Sequence, residues 1–220
     1  MTPADTEMVP PKKEINSQEA ILKAAIEEFA ERGVDGARIE AVARQAKFNK
    51  SLIYRYFNDK RGLFEAALQS KLEERNANVE KMPVDLTEVL QFYFEENLRD
   101  QNYVRVLLNE AQQNDGEPVI DEPWRRDYYQ KHLDRLKALQ AKGTITDEID
   151  PVCLMLIFTA LVFFPATLPQ LAQLITGHKV NSQEFKALWA ECLSEITKLL
   201  QPGTDGSSET LATRNSAKLL

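Results

Sequence analysis

The chain has 220 residues, 43% of them apolar, and a net charge of -7, which suits one large or two small domains around a sizeable core. Its two cysteines, Cys153 and Cys192, sit in apolar helical patterns at a spacing that fits no metal template. They predict a buried, reduced thiol pair and argue against a disulfide scaffold or a metal site. The two histidines, His132 and His178, stand without a Gly-rich phosphate loop, a nucleophile elbow or a His/Cys cluster, so neither an enzyme nor a cofactor is expected.

Residues 1–14, with Pro3, Pro10 and Pro11, read as a disordered arm with no apolar signal-peptide core. Asn16 and Glu19 form a capping box that predicts the start of the first helix. Leu22, Ala25, Ile26 and Phe29 follow at the three-four spacing of a buried face, and Gly33 is placed to end it. Ile39, Val42, Ala43 and Ala46 mark a short second helix. Asn49 caps a third that runs to about Phe57, and a long fourth runs from about Lys60 to before Pro83. Further helices are predicted near 84–99, 101–113, 120–141, 151–175 and 182–200, with no convincing strand alternation. Residues 202–220 are polar, rich in Gly and Ser, and read as a loose tail. The run from Val152 to Leu168 is the one membrane suspect. It is at the short limit for a span, is interrupted by Pro165 and lacks basic or aromatic anchors. A helix buried among protein helices, and no membrane partner, is the expectation.

Charge is unevenly spread. Between Arg38 and Arg61 there are seven basic residues (Arg38, Arg44, Lys47, Lys50, Arg55, Lys60, Arg61) against Glu40 and Asp59. That window carries +5 and the rest of the chain -12, the footprint of a surface that meets a phosphate backbone. The same window meets the steric demands of a helix-turn-helix. Ala43 is the small residue where two helices cross, Lys47, Phe48 and Asn49 form the turn, and Ile53 and Phe57 face inward with Val42 and Phe48. Lys50, Ser51, Leu52, Arg55 and Tyr56 are left on the outer face of the second helix. Lys50, Ser51, Leu52 and Arg55 are the candidate base readers, because the first turns of such a helix meet base edges in the major groove. Tyr54, Tyr56 and Lys60 suit phosphate oxygens.

These residues resemble the signature of the TetR family of regulators. The likeness is carried by Val42-Ala43, Ala46, the turn Lys47-Phe48-Asn49, and Ile53-Tyr54-Arg55-Tyr56-Phe57-Asn58-Asp59-Lys60-Arg61-Gly62-Leu63-Phe64, preceded by Ile21 to Gly33. The resemblance implies an all-α chain: an N-terminal three-helix helix-turn-helix domain (15–64), then a larger helical ligand-binding and dimerisation domain (65–201), about nine helices in all. It implies a cytoplasmic homodimer on double-stranded operator DNA, acting as a repressor that a small-molecule effector releases. The alternative is a DNA-binding protein of the same type controlled by a protein partner. Two positions depart from the pattern. Lys47 stands where glycine is common, and a left-handed lysine costs on the order of 1 kcal/mol. Arg38 falls on an N-cap usually held by Thr or Ser and offers no acceptor oxygen, though it can reach a phosphate.

In the body, Phe185, Leu188, Trp189, Cys192, Leu193 and Ile196 form a broad stripe on the last helix. With Phe158 and Phe163 of the apolar run, the residues Phe185, Leu188, Trp189, Leu193 and Ile196 are the candidate dimer interface, since one small body cannot easily cover both surfaces. Phe92, Arg105, Asn109, Trp124, Tyr128 and His132, with Tyr93 and Phe94 nearby, combine aromatic bulk with polar tips and are the candidate ligand pocket.

Overall fold

A computed structural model describes residues 12–77, 83, 85–112 and 118–202. The arm before Lys12 and the tail after Pro202 lie outside the described residues. Among the described residues there are ten helices and no strand. They are α1 (Lys12–Gly36), α2 (Ile39–Ala46), α3 (Lys50–Phe57), α4 (Lys60–Ala77), α5 (Leu86–Arg99), α6 (Gln101–Gln112), α7 (Glu122–Ala141), α8 (Pro151–Thr167), α9 (Pro169–Thr176) and α10 (Gln183–Leu199).

Two apolar cores organise them. The first joins α1–α4 to α6 and the end of α8. Ile21, Ala25 and Phe29 of α1 meet Ile53, Leu63, Leu68, Val104 and Val106, all nearly without exposure, and the Phe29 and Phe64 rings meet edge-on at 5.2 Å. The second gathers Leu90, Phe94, Leu136, Leu154, Phe158, Phe185 and Leu193 from α5, α7, α8 and α10. Because α6 packs along α1, the small N-terminal unit shares its core with the body. Asn109 of α6 adds a polar tie, its amide donating at 2.8 Å to the Phe29 carbonyl near the end of the first run of α1. Burying apolar side chains at about 25 cal/mol per Å² makes such shared faces the main source of adhesion between the two parts.

Three expectations need correction. The first helix begins at Lys12, so Asn16 lies inside it and does not cap it. Lys12, Lys13 and Glu14 are good helix formers, and the helix simply extends through them. Gly33, at φ 67°, breaks α1 as a left-handed residue, but a further turn continues to Gly36. The stretch predicted as one helix from 151 to 175 is two, bent by 91°. Pro169 stands at the first position of α9 and cannot donate to a continuing α8, so the chain turns there. Pro165 lies within α8, and the buried Asn97 of α5 donates to the neighbouring Val162 carbonyl at 2.8 Å. No single helix among the described residues is long and apolar enough to cross a membrane; the bent pair α8 and α9 passes on length and composition only.

Candidate nucleic-acid interface and the cavity behind it

The turn between α2 and α3 is settled by backbone hydrogen bonds. Lys47 takes the left-handed conformation, φ 61° and ψ 34°. Its N–H donates to the Arg44 carbonyl at 3.3 Å and that of Phe48 to the Ala43 carbonyl at 3.0 Å, the paired pattern of a Schellman ending. The strain of a lysine at positive φ is thus borne, and two orphan carbonyls are satisfied in return. Asn49 then caps α3, its side chain accepting from the Leu52 N–H at 2.8 Å. Arg38 offers α2 no side-chain cap, and its own N–H donates to the buried carboxylate of Glu28 at 3.1 Å.

Helix α3 is only eight residues long, and its two faces follow from 100° per residue. Leu52, Ile53, Tyr56 and Phe57 fall in one half and pack against the first core. Lys50, Ser51, Tyr54 and Arg55 fall in the other and are exposed. This corrects the outward placement of Leu52 and Tyr56: both are half-buried flank residues, because so short a helix needs four side chains to hold it. Arg55 lies over the Tyr56 ring at 5.2 Å. Tyr54 is 46% exposed. Exposed Arg38, Arg44 and Lys47 surround this face.

Two lysines have partners that the sequence did not announce. Lys50 Nζ donates to Glu40 of α2 at 2.6 Å. That bond holds the Glu40 carboxyl below its usual range and raises the Lys50 ammonium. Lys60 Nζ donates to the Asp35 carbonyl at 2.9 Å, tying the start of α4 to the end of α1. Lys60 keeps two further N–H donors. Gly62 of the signature also has a role that its sequence position did not announce. Its N–H donates to the Asp59 carboxylate, which caps α4 at 2.8 Å, and an added Cβ would fall against the Phe57 carbonyl far inside normal contact. A glycine three residues into a helix was the available signal.

Behind this unit, α4, α5, α6, α7 and α8 line a half-open cavity of about 90 Å³. Of the six pocket candidates, Tyr128 and His132 line it. Trp124 lies one layer out, stacked on Tyr128 at 5.9 Å, against a neighbouring space of about 10 Å³. Phe92, Arg105 and Asn109 do not line it: Arg105 is exposed, Asn109 holds α1, and Phe92 packs edge-on against Tyr93. The tip of Tyr93 meets the Tyr128 hydroxyl at 3.1 Å and His132 Nε2 at 3.4 Å. Burial raises the pKa of the Tyr93, Tyr103 and Tyr128 phenols above the ordinary tyrosine value. Burial and the nearby Arg135 push the His132 imidazole down. The polar corner therefore holds neutral phenols and a neutral imidazole at pH 7.

The proposed dimer residues divide. Phe158, Phe185 and Leu193 are at most 5% exposed, inside the protomer's own core, and cannot meet a partner. Phe163 and Trp189 are half-buried: Phe163 beside Tyr103 at 6.3 Å, Trp189 stacked on Phe185 at 5.9 Å. Ile196 is half-buried and Leu188 is exposed. The uncovered apolar side chains of these helices are instead Val152, Leu156 and Ile157 of α8, Leu171, Leu174 and Ile175 of α9, and Leu188 and Leu199 of α10, with Leu168 exposed between α8 and α9. Because α8 is apolar all round, one side fills the core while the other faces outward. Cys153 lies on that outward side, exposed and unpaired, which corrects the expectation of a buried thiol; Cys192 is half-buried.

A capped, eight-residue reading helix on a Schellman turn, ringed by basic side chains, defines a helix-turn-helix DNA-binding protein. The comparisons agree. Residues 21–67 match the family model of bacterial regulatory proteins, tetR family. The chain is 28% identical over 157 residues to the HTH-type transcriptional repressor SCO4008 of Streptomyces coelicolor, covering 71% of this chain and 82% of that one. It is 32% identical over 101 residues to the HTH-type transcriptional repressor NicS of Pseudomonas putida, covering 43% and 48%. The fold is that of the transcriptional regulator SCO4942 from Streptomyces coelicolor (TM-score 0.68, 21% identity, 82% and 97% covered) and of GusR from Salmonella enterica (0.63, 18%, 88% and 100%). Residues 21–67 thus carry the DNA-binding domain of the tetR family of bacterial regulatory proteins, and the chain as a whole is similar in sequence to HTH-type transcriptional repressors and shares its fold with transcriptional regulators.

Proposed function

We propose that the protein is a homodimeric repressor that binds operator DNA in the cytoplasm and lets go when a small molecule enters the body cavity. The observation that carries this reading is α4. Its first turn abuts the end of the reading helix, through Gly62 against Phe57. Its last turn puts Arg75 in the cavity wall, thirteen residues on from Gly62, or about 20 Å at 1.5 Å per residue. A ligand that shifts the wall moves a rigid lever whose other end sets the pitch of α3. Coupling of this kind is typically worth about 1–3 kcal/mol and is reciprocal. An accessible cavity favours a metabolite over control by a protein partner.

In this reading Lys50, Ser51 and Arg55 meet base edges, Arg38, Tyr54 and Lys60 meet phosphates, and the half-buried Leu52 and Tyr56 sit at the margin of the contact. The uncovered apolar faces of α8, α9 and α10 meet a second copy. That spaces two reading helices about one DNA turn, near 34 Å, apart. Selection of bound DNA from a random library tests this. An inverted repeat with half-sites one turn apart is the expected result. A site read by a single monomer, or no enrichment, overturns it. Within the selected site, Lys60→Ala should weaken all sequences alike, whereas Arg55→Ala should relax preference at one base pair.

A further inference from the structure

The body cavity has an unusual charge inventory. The chain outside the basic window is strongly acidic, at -12. Yet among the described residues no aspartate or glutamate lines this cavity, while two arginines, Arg75 and Arg135, do. Arg135 donates to the Pro83 carbonyl at 2.7 Å. Arg75 is half-buried at the end of α4, and no carboxylate among the described residues pairs with it. Its guanidinium is faced by rings: Tyr103 at 4.5 Å, Tyr93 at 5.2 Å and Phe163 at 5.9 Å. Ring faces stabilise a cation but accept few of its five N–H groups. A guanidinium drawn out of water without a counter-ion is costly, and such a charge is ordinarily paired.

The rest of the wall has a matching polarity. Leu90, Leu136, Leu139, Met155 and Val162 make an apolar floor. The Tyr93 and Tyr128 hydroxyls and His132 make a compact polar corner beside the arginine.

We propose that the effector is a small organic monocarboxylate, its carboxylate paired with Arg75 and its apolar body on the Leu90–Leu136–Val162 floor. This rests on the reading of the cavity as the effector site and specifies the chemistry it takes. A planar carboxylate matches the guanidinium fork, and two charge-assisted hydrogen bonds add orientation to the attraction. The hydroxyl of Tyr93 or Tyr128 can donate to the same carboxylate, since burial keeps both protonated. A cavity of about 90 Å³ is smaller than the roughly 150 Å³ that holds a benzene ring. The ligand is therefore a short chain or a single ring, and seating a ring pushes the wall outward against α4.

The test is calorimetric titration of the full-length wild type with benzoate and hexanoate, each against its neutral amide, benzamide and hexanamide. It is repeated on Arg75→Gln, on Arg75→Lys, and on Val162→Trp, which fills the cavity. The acids are expected to bind at least about tenfold more tightly than their amides. Arg75→Gln should abolish that preference, Arg75→Lys should keep part of it, and Val162→Trp should block both acids. If the amides bind as well as the acids and Val162→Trp blocks them, the cavity is a ligand site but the anion assignment is overturned. If acid binding survives Val162→Trp, or neither acid binds at millimolar concentration, the proposal is also overturned. Operator binding, measured in parallel without ligand, stands or falls separately. Should Arg75→Gln fail to fold, the acid–amide comparison on the wild type decides alone.

Discussion

Replacing Gly62 by alanine sets two known effects against each other. Alanine is a better helix former than glycine by about 1 kcal/mol in a helix interior, so on propensity alone the variant is more stable. Gly62 is not at positive φ, and nothing in its backbone demands glycine. Its surroundings do. An added Cβ would meet the Phe57 carbonyl oxygen well inside the 3.0 Å that real Cβ atoms essentially never breach, and the carbonyl carbon at 3.4 Å. The obstacle is backbone, and it is pinned, because that oxygen also accepts the Asp59 N–H at 2.7 Å. The elbow between α3 and α4 must open by more than about half an ångström, with an overpacking cost of about 1–3 kcal/mol. The clash should win, leaving Gly62→Ala less stable by about 1–2 kcal/mol. Since Phe57 ends the reading helix, the shift also exceeds the roughly 0.5 Å within which a binding constellation must be held. Operator affinity should fall about tenfold or more. Urea denaturation and fluorescence anisotropy on operator DNA measure the two effects. Gly36→Ala is the control, its added Cβ meeting only the Arg32 Cβ at 3.4 Å; it should be neutral or stabilising. If Gly62→Ala stabilised the protein and bound DNA unchanged, the elbow would not be tight and this reasoning would fail.

Leu156→Glu places a charge on the uncovered face of α8, where Leu156 is 66% exposed; sedimentation should show a folded monomer with operator affinity down about a hundredfold, and a variant that stayed dimeric would refute the interface. Leu193→Glu puts the charge in a fully buried site and should prevent folding outright, so it reports on the core and not on dimerisation. Glu40→Gln removes the carboxylate that holds Lys50 at 2.6 Å and should tighten operator binding and steepen its salt dependence, by up to about one phosphate contact; weaker binding would mean that Glu40 positions the lysine for DNA. His132 has its proton affinity lowered in the folded state by burial and by Arg135, so the unfolded chain takes up the proton first. The stability this lends is full above the unfolded value near 6.5 and is lost as pH falls through it toward the lower folded value. Urea midpoints should drop more for the wild type than for His132→Gln between roughly pH 7.5 and pH 5, and equal drops would show that His132 is not held neutral.

Much of this was legible because it is local. The three-four spacing of Leu22, Ala25, Ile26 and Phe29 and the cap at Asn49 act over one or two helical turns, and the basic window from Arg38 to Arg61 is read from consecutive residues. The sequence by itself therefore determined the helical class, the helix-turn-helix and the cap at Asn49, but not where α1 starts or that the chain bends between α8 and α9. What only the tertiary structure decided is which side of each apolar stripe is spent inward. The pattern of α10 marks Phe185, Leu188 and Leu193 alike as apolar, but packing on α5 turns Phe185 and Leu193 in and leaves Leu188 out. On α8, apolar on every side, no periodicity exists to separate Phe158 from Leu156; contact with α5 makes one core and leaves the other exposed. The cavity is long-range in the same sense. Arg75, Tyr93, Tyr103, Tyr128 and Phe163 come from five helices, and no spacing along the chain records that they converge. Helix formation is governed by neighbours in sequence, whereas burial and pairing are governed by whichever helix the fold lays alongside.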